Sequence, residues 1–333
     1  MRFVIYGAGA IGGVIGGRLF QAGHDVTLIA RGAHEQAIRD HGLTVASAAA
    51  TDVLPVPVVG HPADAGLRPG DVVVLAMKSQ GTVEAVRRLA TCAPPDVRLA
   101  CAQNGVENER VALRSFAAVY GVNVVCPATH LEPGVVLAHS TPVSGILDLG
   151  RYPSGVDATA RDLAGALAAA TFDSEARPDI MRWKYSKLLA NLGNSIDAVC
   201  GGLNRDGAAG ELWRRVRDEG EACLAAAGID VASRGENRER RSDRITVQPV
   251  GGAPHKGSST WQSLARATGD VETDFLAGEI VLLGRLHGVP TPANALLQRL
   301  AAKMAVAGRP PGDVPATEVL ARLDGTPAGA QPA

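Results

Sequence analysis

Three glycines at fixed spacing open the chain, in Gly7-Ala8-Gly9-Ala10-Ile11-Gly12. A GxGxxG is a weak signal in a chain with 39 glycines, but this one follows the apolar run Phe3-Val4-Ile5-Tyr6 and opens a small-residue helix. In that setting each glycine has a task. Gly7 allows a tight turn, Gly9 lets the backbone approach a pyrophosphate, and Gly12 lets the helix pack closely on the strand. Ala8, Ala10 and Ile11 complete the loop, and the helix N-terminus turns its partial positive charge toward the phosphates. The chemistry is dinucleotide binding.

Arg31 follows the second apolar run, nineteen residues after Gly12. An acid at this place usually holds a ribose 2′-hydroxyl. An arginine instead binds a 2′-phosphate bidentately, so the expected cofactor is NADP(H). Glu35 in the next segment keeps NAD(H) open. Two further strand ends carry polar residues: Lys78 after Asp71–Met77, and Asn104 in Cys101-Ala-Gln-Asn-Gly105. The carboxyl ends of strands in a doubly wound sheet face the ligand crevice. Lys78 and Asn104 are therefore expected at the nicotinamide half of the cofactor.

These residues need a sheet to place them. Asp25–Ala30, Asp71–Met77, Arg98–Ala102 and Val122–Cys126 are apolar runs separated by helical stretches. Such alternation indicates a parallel sheet covered on both faces. Leu43–Val59 reads as an irregular β excursion, and Val135–His139 with Gly145–Leu149 as a late hairpin. After Asp179 the pattern is helical, over roughly 180–200, 207–227, 258–287 and 292–306, with no clear strand. The fold class is α/β: an N-terminal Rossmann-type doubly wound sheet, residues 1–177, then an all-helical domain, residues 178–320. The Gly/Pro/Ala tail, 321–333, is expected to be disordered.

Composition narrows the function classes. The 333 residues carry 33 Lys+Arg against 34 Asp+Glu, so nothing drives the chain toward nucleic acid or an anionic membrane. Aromatics are 4%, too few for base-stacking platforms. No apolar run reaches the roughly 18–20 residues of a membrane span. The five cysteines (92, 101, 126, 200 and 223) form no CxxC pair, which argues for reduced thiols in a cytoplasm. No HExxH or His/Cys cluster points to a metal. His130 reads as a structural histidine, with a place lining the ligand cleft as the alternative. The five arginines of Arg234–Arg244 interleave with Glu236, Glu239 and Asp243 and read as a solvated, salt-bridged face.

Taken together, the motifs resemble the ketopantoate reductases (2-dehydropantoate 2-reductases). The resemblance rests on GAGAIG, on AMKSQ after the third strand and on QNG after the fourth. It extends through Trp183–Asn191, Ser258-Ser-Thr-Trp-Gln262, Glu272, Gly278–Val281 and His287–Pro292, in the family's order. It implies a 6-phosphogluconate-dehydrogenase-like helical domain and an active site in the cleft between the domains. It implies NADPH-dependent reduction of a small-molecule 2-oxo acid. By match to the motif, Lys187 is the catalytic lysine, and Glu272 sits in the same cleft. Asn191, Asn194 and Asn204 hold the substrate, and Ser258, Ser259 and Thr260 bind its carboxylate. Members commonly place the second helical asparagine four residues after the first. Here Asn194 lies three residues after Asn191 and Ser195 takes the fourth place, so either fills that position. Trp261-Gln262 is bulkier than the Met-Leu often found there.

Ketone reduction needs a hydride, a proton for the developing alkoxide and a holder for the carboxylate. Lys187 suits the proton: desolvation lowers a lysine's pKa, and its charge stabilises the oxyanion. In one continuous helix, Asn191 would lie about 40° and Asn194 about −20° from Lys187, opposite Leu188, Leu189, Leu192, Ile196 and Val199. Glu272 would orient Lys187 or take a substrate hydroxyl. Ser258–Thr260 would also cap a helix. The alternatives are a reductase of another 2-oxo acid or imine, and an NADP-binding sensor without turnover. Oligomeric state, a homodimer included, is left open.

Overall fold

β-Branched runs bounded by glycine and acid become strands, and small or amphipathic stretches between them become helices. The computed structural model describes residues 1–325 except 205, 253 and 268. Its first half holds β1 (Arg2–Tyr6), α1 (Ala10–Gln21), β2 (Asp25–Ile29), α2 (Gly32–His41), β3 (Leu43–Ser47), β4 (Thr51–Leu54) and β5 (Val58–Val59). Then follow β6 (Val72–Leu75), α3 (Thr82–Cys92), β7 (Arg98–Cys101), α4 (Asn108–Leu113), β8 (Ala118–Val125), β9 (Ala128–Thr129), β10 (Val135–Ala138), β11 (Ser140–Pro142) and β12 (Gly145–Arg151). The rest is α5 (Ala158–Ala169), β13 (Phe172–Asp173), α6 (Ile180–Asn191), α7 (Gly193–Cys200), α8 (Gly207–Ala226), α9 (Arg234–Arg241) and β14 (Ile245–Val247). Four helices close the described chain: α10 (Ser259–Ala265), α11 (Ala277–His287), α12 (Pro292–Val306) and α13 (Ala316–Asp324).

The chain divides into two units. Of the described residues, 1–184 and 232–255 form one; 185–231 and those from Lys256 onward form the other. The expectation of one change of character near Pro178 misses the return of 232–255 to the first unit. Residues 321–324 of the expected tail are helical, and 326–333 lie outside the described residues.

In the first unit, eight strands form a sheet in the order β13-β12-β8-β7-β6-β1-β2-β5. From β5 to β8 neighbours are parallel; β12 is antiparallel to β8 and parallel to β13. Every residue of β6 is buried, as a sheet covered on both faces requires. Ile5, Leu28 and Leu147 pack with Ile15 and Leu19 of α1 and Leu163 of α5 on one face. Val4, Val73 and Leu75 pack with Val86 and Leu89 of α3 on the other. Strand order reverses at β1, between β2 and β6, so the loop after β1 lies at a topological switch point.

Two strand expectations are corrected. Val135–His139 and Gly145–Leu149 do not pair as a hairpin. β10 lies parallel to β3 in a second sheet of order β4-β3-β10-β9, while β12 joins the main sheet beside β8. Their burial explains the parting: β10 alternates, with one face covered, whereas six of the seven β12 residues are buried. A strand also exists after Asp179, since β14 pairs antiparallel with β11.

The arginine-rich stretch is not a wholly solvated face. Ser233 and Glu236 form a capping box that starts α9. Arg240, only 6% exposed, forks onto the fully buried Asp148 of β12 with bonds of 2.8 and 2.6 Å. Arg177 adds a bond of 2.9 Å to the same carboxylate, and the Glu175 N–H one of 3.0 Å. Arg182 grips Glu236 through both oxygens, at 2.6 and 2.9 Å.

In the second unit, glycines let helices approach. A Cβ on Gly220 would meet Leu189 and Leu192 at 2.8 and 2.9 Å, and one on Gly193 would meet Leu203 at 2.8 Å. Two long helical expectations break up. A turn at Leu192 separates α6 from α7, and the 258–287 stretch divides into α10, a 3₁₀ turn at Glu272–Phe275, and α11. Among the described residues no helix is long and apolar enough to cross a membrane. The five cysteines are free thiols.

Candidate functional site

The glycine loop is tightly packed at two of its three glycines. Gly7 has φ +99°, and a Cβ there would stand 2.7 Å from the Met77 nitrogen. A Cβ on Gly12 would collide with the Gly7 carbonyl oxygen at 2.0 Å and with Ala76 and Ile5 at 2.9 and 3.0 Å. A Cβ on Gly9, by contrast, would meet nothing within 4 Å among the described residues. Gly9 is the N-cap of α1, whose first turn has no acidic residue to compete for its N–H groups. Gly7 and Ala8 donate to the Ile29 carbonyl, which ties the loop to the end of β2. Arg31 lies two residues further, exposed, as the N-cap of α2. Glu35, the acid that left NAD(H) open, is ion-paired with Arg39 on its own helix.

His34 was not among the expected site residues, yet it holds this loop. Its Nε2 donates to the Ala8 carbonyl at 2.8 Å, and its Nδ1 accepts the Gly134 N–H at 2.8 Å. That pairing requires a neutral ring with the proton on Nε2. The His130 ring lies against it, with centroids 4.2 Å apart. Burial pushes the His34 imidazole below its ordinary value; the bond to Ala8 opposes this and His130 adds to it. The unfolded chain therefore takes up the proton first. The stability from neutral His34 is complete above about pH 6.5 and is lost as pH falls through the lower, folded value. Melting temperatures from pH 7.5 to 5 are expected to fall more steeply for the native protein than for a His34→Gln variant. Equal slopes would remove His34 as a source of acid sensitivity.

The other two strand-end loops are joined by a buried polar network. Gln103, 4% exposed, donates through Nε2 to the Met77 carbonyl at 2.9 Å and to Thr82 Oγ1 at 2.8 Å. Thr82 donates to Asn108 Oδ1 at 2.7 Å. Asn108 in turn donates to Ser79 Oγ at 3.1 Å and to the Asn104 carbonyl at 2.9 Å. Lys78 caps the 3₁₀ turn at Ser79–Gly81 and is half-buried, as is Asn104. Gln103 and Asn108 escaped the sequence reading, although each lies within a few residues of Asn104 in the QNG segment.

In the helical unit, α7, α10 and the Glu272–Phe275 turn bring several expected residues together. Asn194 donates to Ser259 Oγ at 3.5 Å, and Ser258 Oγ donates to the Asn194 carbonyl at 3.4 Å. The Ser258 N–H donates to Asp197 at 2.6 Å, and Ser258 Oγ caps α10 by accepting the Trp261 N–H at 3.2 Å. Ser195, 2% exposed, shares a hydrogen bond of 3.3 Å with Thr273, beside the buried Glu272. Thr260 is buried, and its hydroxyl has no hydrogen-bond partner among the described residues. Lys187 is half-buried and Asn191 buried on α6. Because of the turn at Leu192, Asn194 is carried by a different helix from these two, and the single-helix projection does not hold across it. Asn204 is exposed, and its amide oxygen takes the Asp206 N–H at 3.2 Å. The Trp261 ring packs on Gly257, whose φ is +60°.

A doubly wound sheet with a glycine cradle, continued by a helical unit with buried asparagine, serine and glutamate, is the build of an oxidoreductase acting on CH–OH groups. The family described as ketopantoate reductase PanE/ApbA matches residues 3–154, and its C-terminal part matches residues 179–305. The chain belongs to the ketopantoate reductase family. A 2-dehydropantoate 2-reductase from Pyrococcus horikoshii is 28% identical over 307 residues, covering 90% of this chain and 96% of that protein. Another from Mesorhizobium japonicum is 29% identical, covering 90% of this chain and 98% of its own length. The crystal structure of a PanE/ApbA family ketopantoate reductase from Ralstonia eutropha superposes with TM-score 0.78 at 28% identity, covering 92% of this chain and 99% of that one.

Proposed function

We propose that the chain reduces 2-dehydropantoate to pantoate with NADPH. The observation that carries this reading is the grouping of Asn194, Ser195, Ser258 and Ser259, in the unit that also bears Lys187, Asn191 and Glu272. These are neutral donors in the unit that also carries one cation and one carboxylate, the set that a hydroxylated 2-oxo acid calls for. The glycine loop would hold the pyrophosphate, Arg31 the 2′-phosphate, and Lys78 and Asn104 the nicotinamide half. NADPH, when bound, supplies the hydride. Lys187 holds the proton and delivers it to the C2 oxygen, and its charge favours the alkoxide as it forms. Glu272 orients Lys187. Asn191 and the α7 pair Asn194/Ser195 hold the substrate hydroxyl and carbonyl, and Ser258, Ser259 and Thr260 hold the carboxylate at the start of α10. The protein acts in the cytoplasm under this reading.

The test follows NADPH absorbance with ketopantoate, with Lys187→Ala and NADH as controls. Rapid oxidation, lost in the variant and slower with NADH, supports the function. Tight NADPH binding without oxidation across a panel of 2-oxo acids would instead make the chain a sensor. Trp261 on Gly257 favours one second reading, a different 2-oxo acid, which the same panel would show as its best substrate.

Arg31→Ala is expected to raise the KM for NADPH about ten- to a hundredfold, the worth of roughly 1.5–3 kcal/mol in charge-assisted hydrogen bonds. The KM for NADH should stay nearly constant. A parallel rise for both cofactors would assign Arg31 no part in telling them apart.

A further inference from the structure

Among the buried charges that the proposed mechanism does not use, one pair lies beside the strand-end network. Lys184 and Glu109 are 3% and 0% exposed, and Lys184 Nζ lies 2.5 Å from Glu109 Oε1. Burial pushes the Glu109 carboxyl upward, and the Lys184 ammonium pulls it back. A charge pair in such a place is poor as a source of stability, because desolvation offsets most of its attraction. Its placement is more informative. Lys184 Nζ also donates to the Gln103 carbonyl at 3.0 Å and reaches the Cys101 carbonyl at 3.5 Å. Glu109 is the neighbour of Asn108, whose side chain holds the Asn104 carbonyl and Ser79. The pair thus clamps the 101–109 segment from both sides of Asn104. Through Gln103 and Thr82 the clamp continues to the Met77 carbonyl, beside Lys78. Lys184 is also three residues before Lys187 on α6.

We infer that Glu109 and Lys184 are positioning residues for the reaction: they fix the backbone at Gln103–Asn104, and through Gln103, Thr82 and Asn108 hold the two cofactor-facing loops in one arrangement. This rests on the proposed placement of Lys78 and Asn104 at the nicotinamide half. Neither residue of the pair touches cofactor or substrate in this account. Small misplacements of such loops reduce rate far more than stability.

The experiment compares the native chain with Lys184→Met/Glu109→Leu, which replaces the pair by apolar groups of similar volume, and with Thr82→Val, which cuts the network elsewhere. Melting temperature, NADPH Kd by fluorescence titration, and kcat and KM are read for each. The double variant is expected to melt near the native temperature, as such replacements generally do. It should nonetheless bind NADPH more weakly and turn over about ten- to a hundredfold more slowly. Thr82→Val should shift Kd and kcat in the same direction by a smaller factor. A folded double variant with native Kd and kcat would overturn the inference. Should the double variant fail to fold, native Kd and kcat in Thr82→Val would overturn it as well. The NADPH Kd is informative even if ketopantoate is not turned over, so failure of the proposed substrate is distinguishable from failure of this inference.

Discussion

Lys187→Ala is expected to lower kcat with ketopantoate by about 10²–10⁴-fold, the range for loss of a positioned general acid. NADPH affinity should stay near the native value, because Lys187 is not among the proposed cofactor contacts. Stability should change little, since the side chain is only half-buried. Lys187→Arg keeps the charge but cannot give up its proton near neutral pH, so it should recover substrate binding and little turnover. The measurement is kcat and KM for the three proteins beside their melting curves. A kcat near the native value in Lys187→Ala would move the proton to another donor and leave Lys187 as a binding residue.

The largest stability effect is expected at Asp148. Its fully buried carboxylate takes both arms of Arg240, one bond from Arg177 and one from the Glu175 N–H. Asp148→Ala leaves Arg240 buried without its main partner, a change that typically loses about 3–5 kcal/mol. Asp173 still bonds Arg240 at 2.9 Å, so the lower end of that range is expected. Asp148→Asn keeps the volume and some of the bonds and should lose less. Urea unfolding of the three proteins decides. A loss for Asp148→Ala under about 1 kcal/mol would mean the cluster behaves like an exposed ion pair.

The glycine cradle was legible because its signal is local. A five-residue apolar strand, three spaced glycines and a helix of small residues need no distant partner to be recognised. The positions of Arg31, Lys78 and Asn104 just past the ends of β2, β6 and β7 followed from the same sheet logic. Longer-range features were not legible. Asp148 and Arg240 are 92 residues apart, and an arginine among acids reads as surface until its partner is known. Glu109 and Lys184 escaped for the same reason: each sits in a polar local sequence, and burial is set by the elements around it. The split of β10 from β12 depended on which sheet had room for a strand buried on both faces, a tertiary preference. In the helical unit the lysine and asparagine spacing was visible, but the turn at Leu192 was not, because an αR residue between two helices leaves no composition signal. Asn204, carried over by motif, is exposed, and its described bond is to the Asp206 N–H.

The return of residues 232–255 to the sheet-bearing unit bears on how this gene can recombine. A single crossover near residue 184 would bring in a foreign α9 along with a foreign helical unit. Asp148 would then depend on whether the donor lineage happened to supply an arginine at the place of Arg240. Exchange that keeps both units whole needs breakpoints on either side of 232–255 as well. Chimeric proteins joined once at residue 184 should therefore express poorly unless the donor carries that arginine, and those that retain the native 232–255 segment should express well.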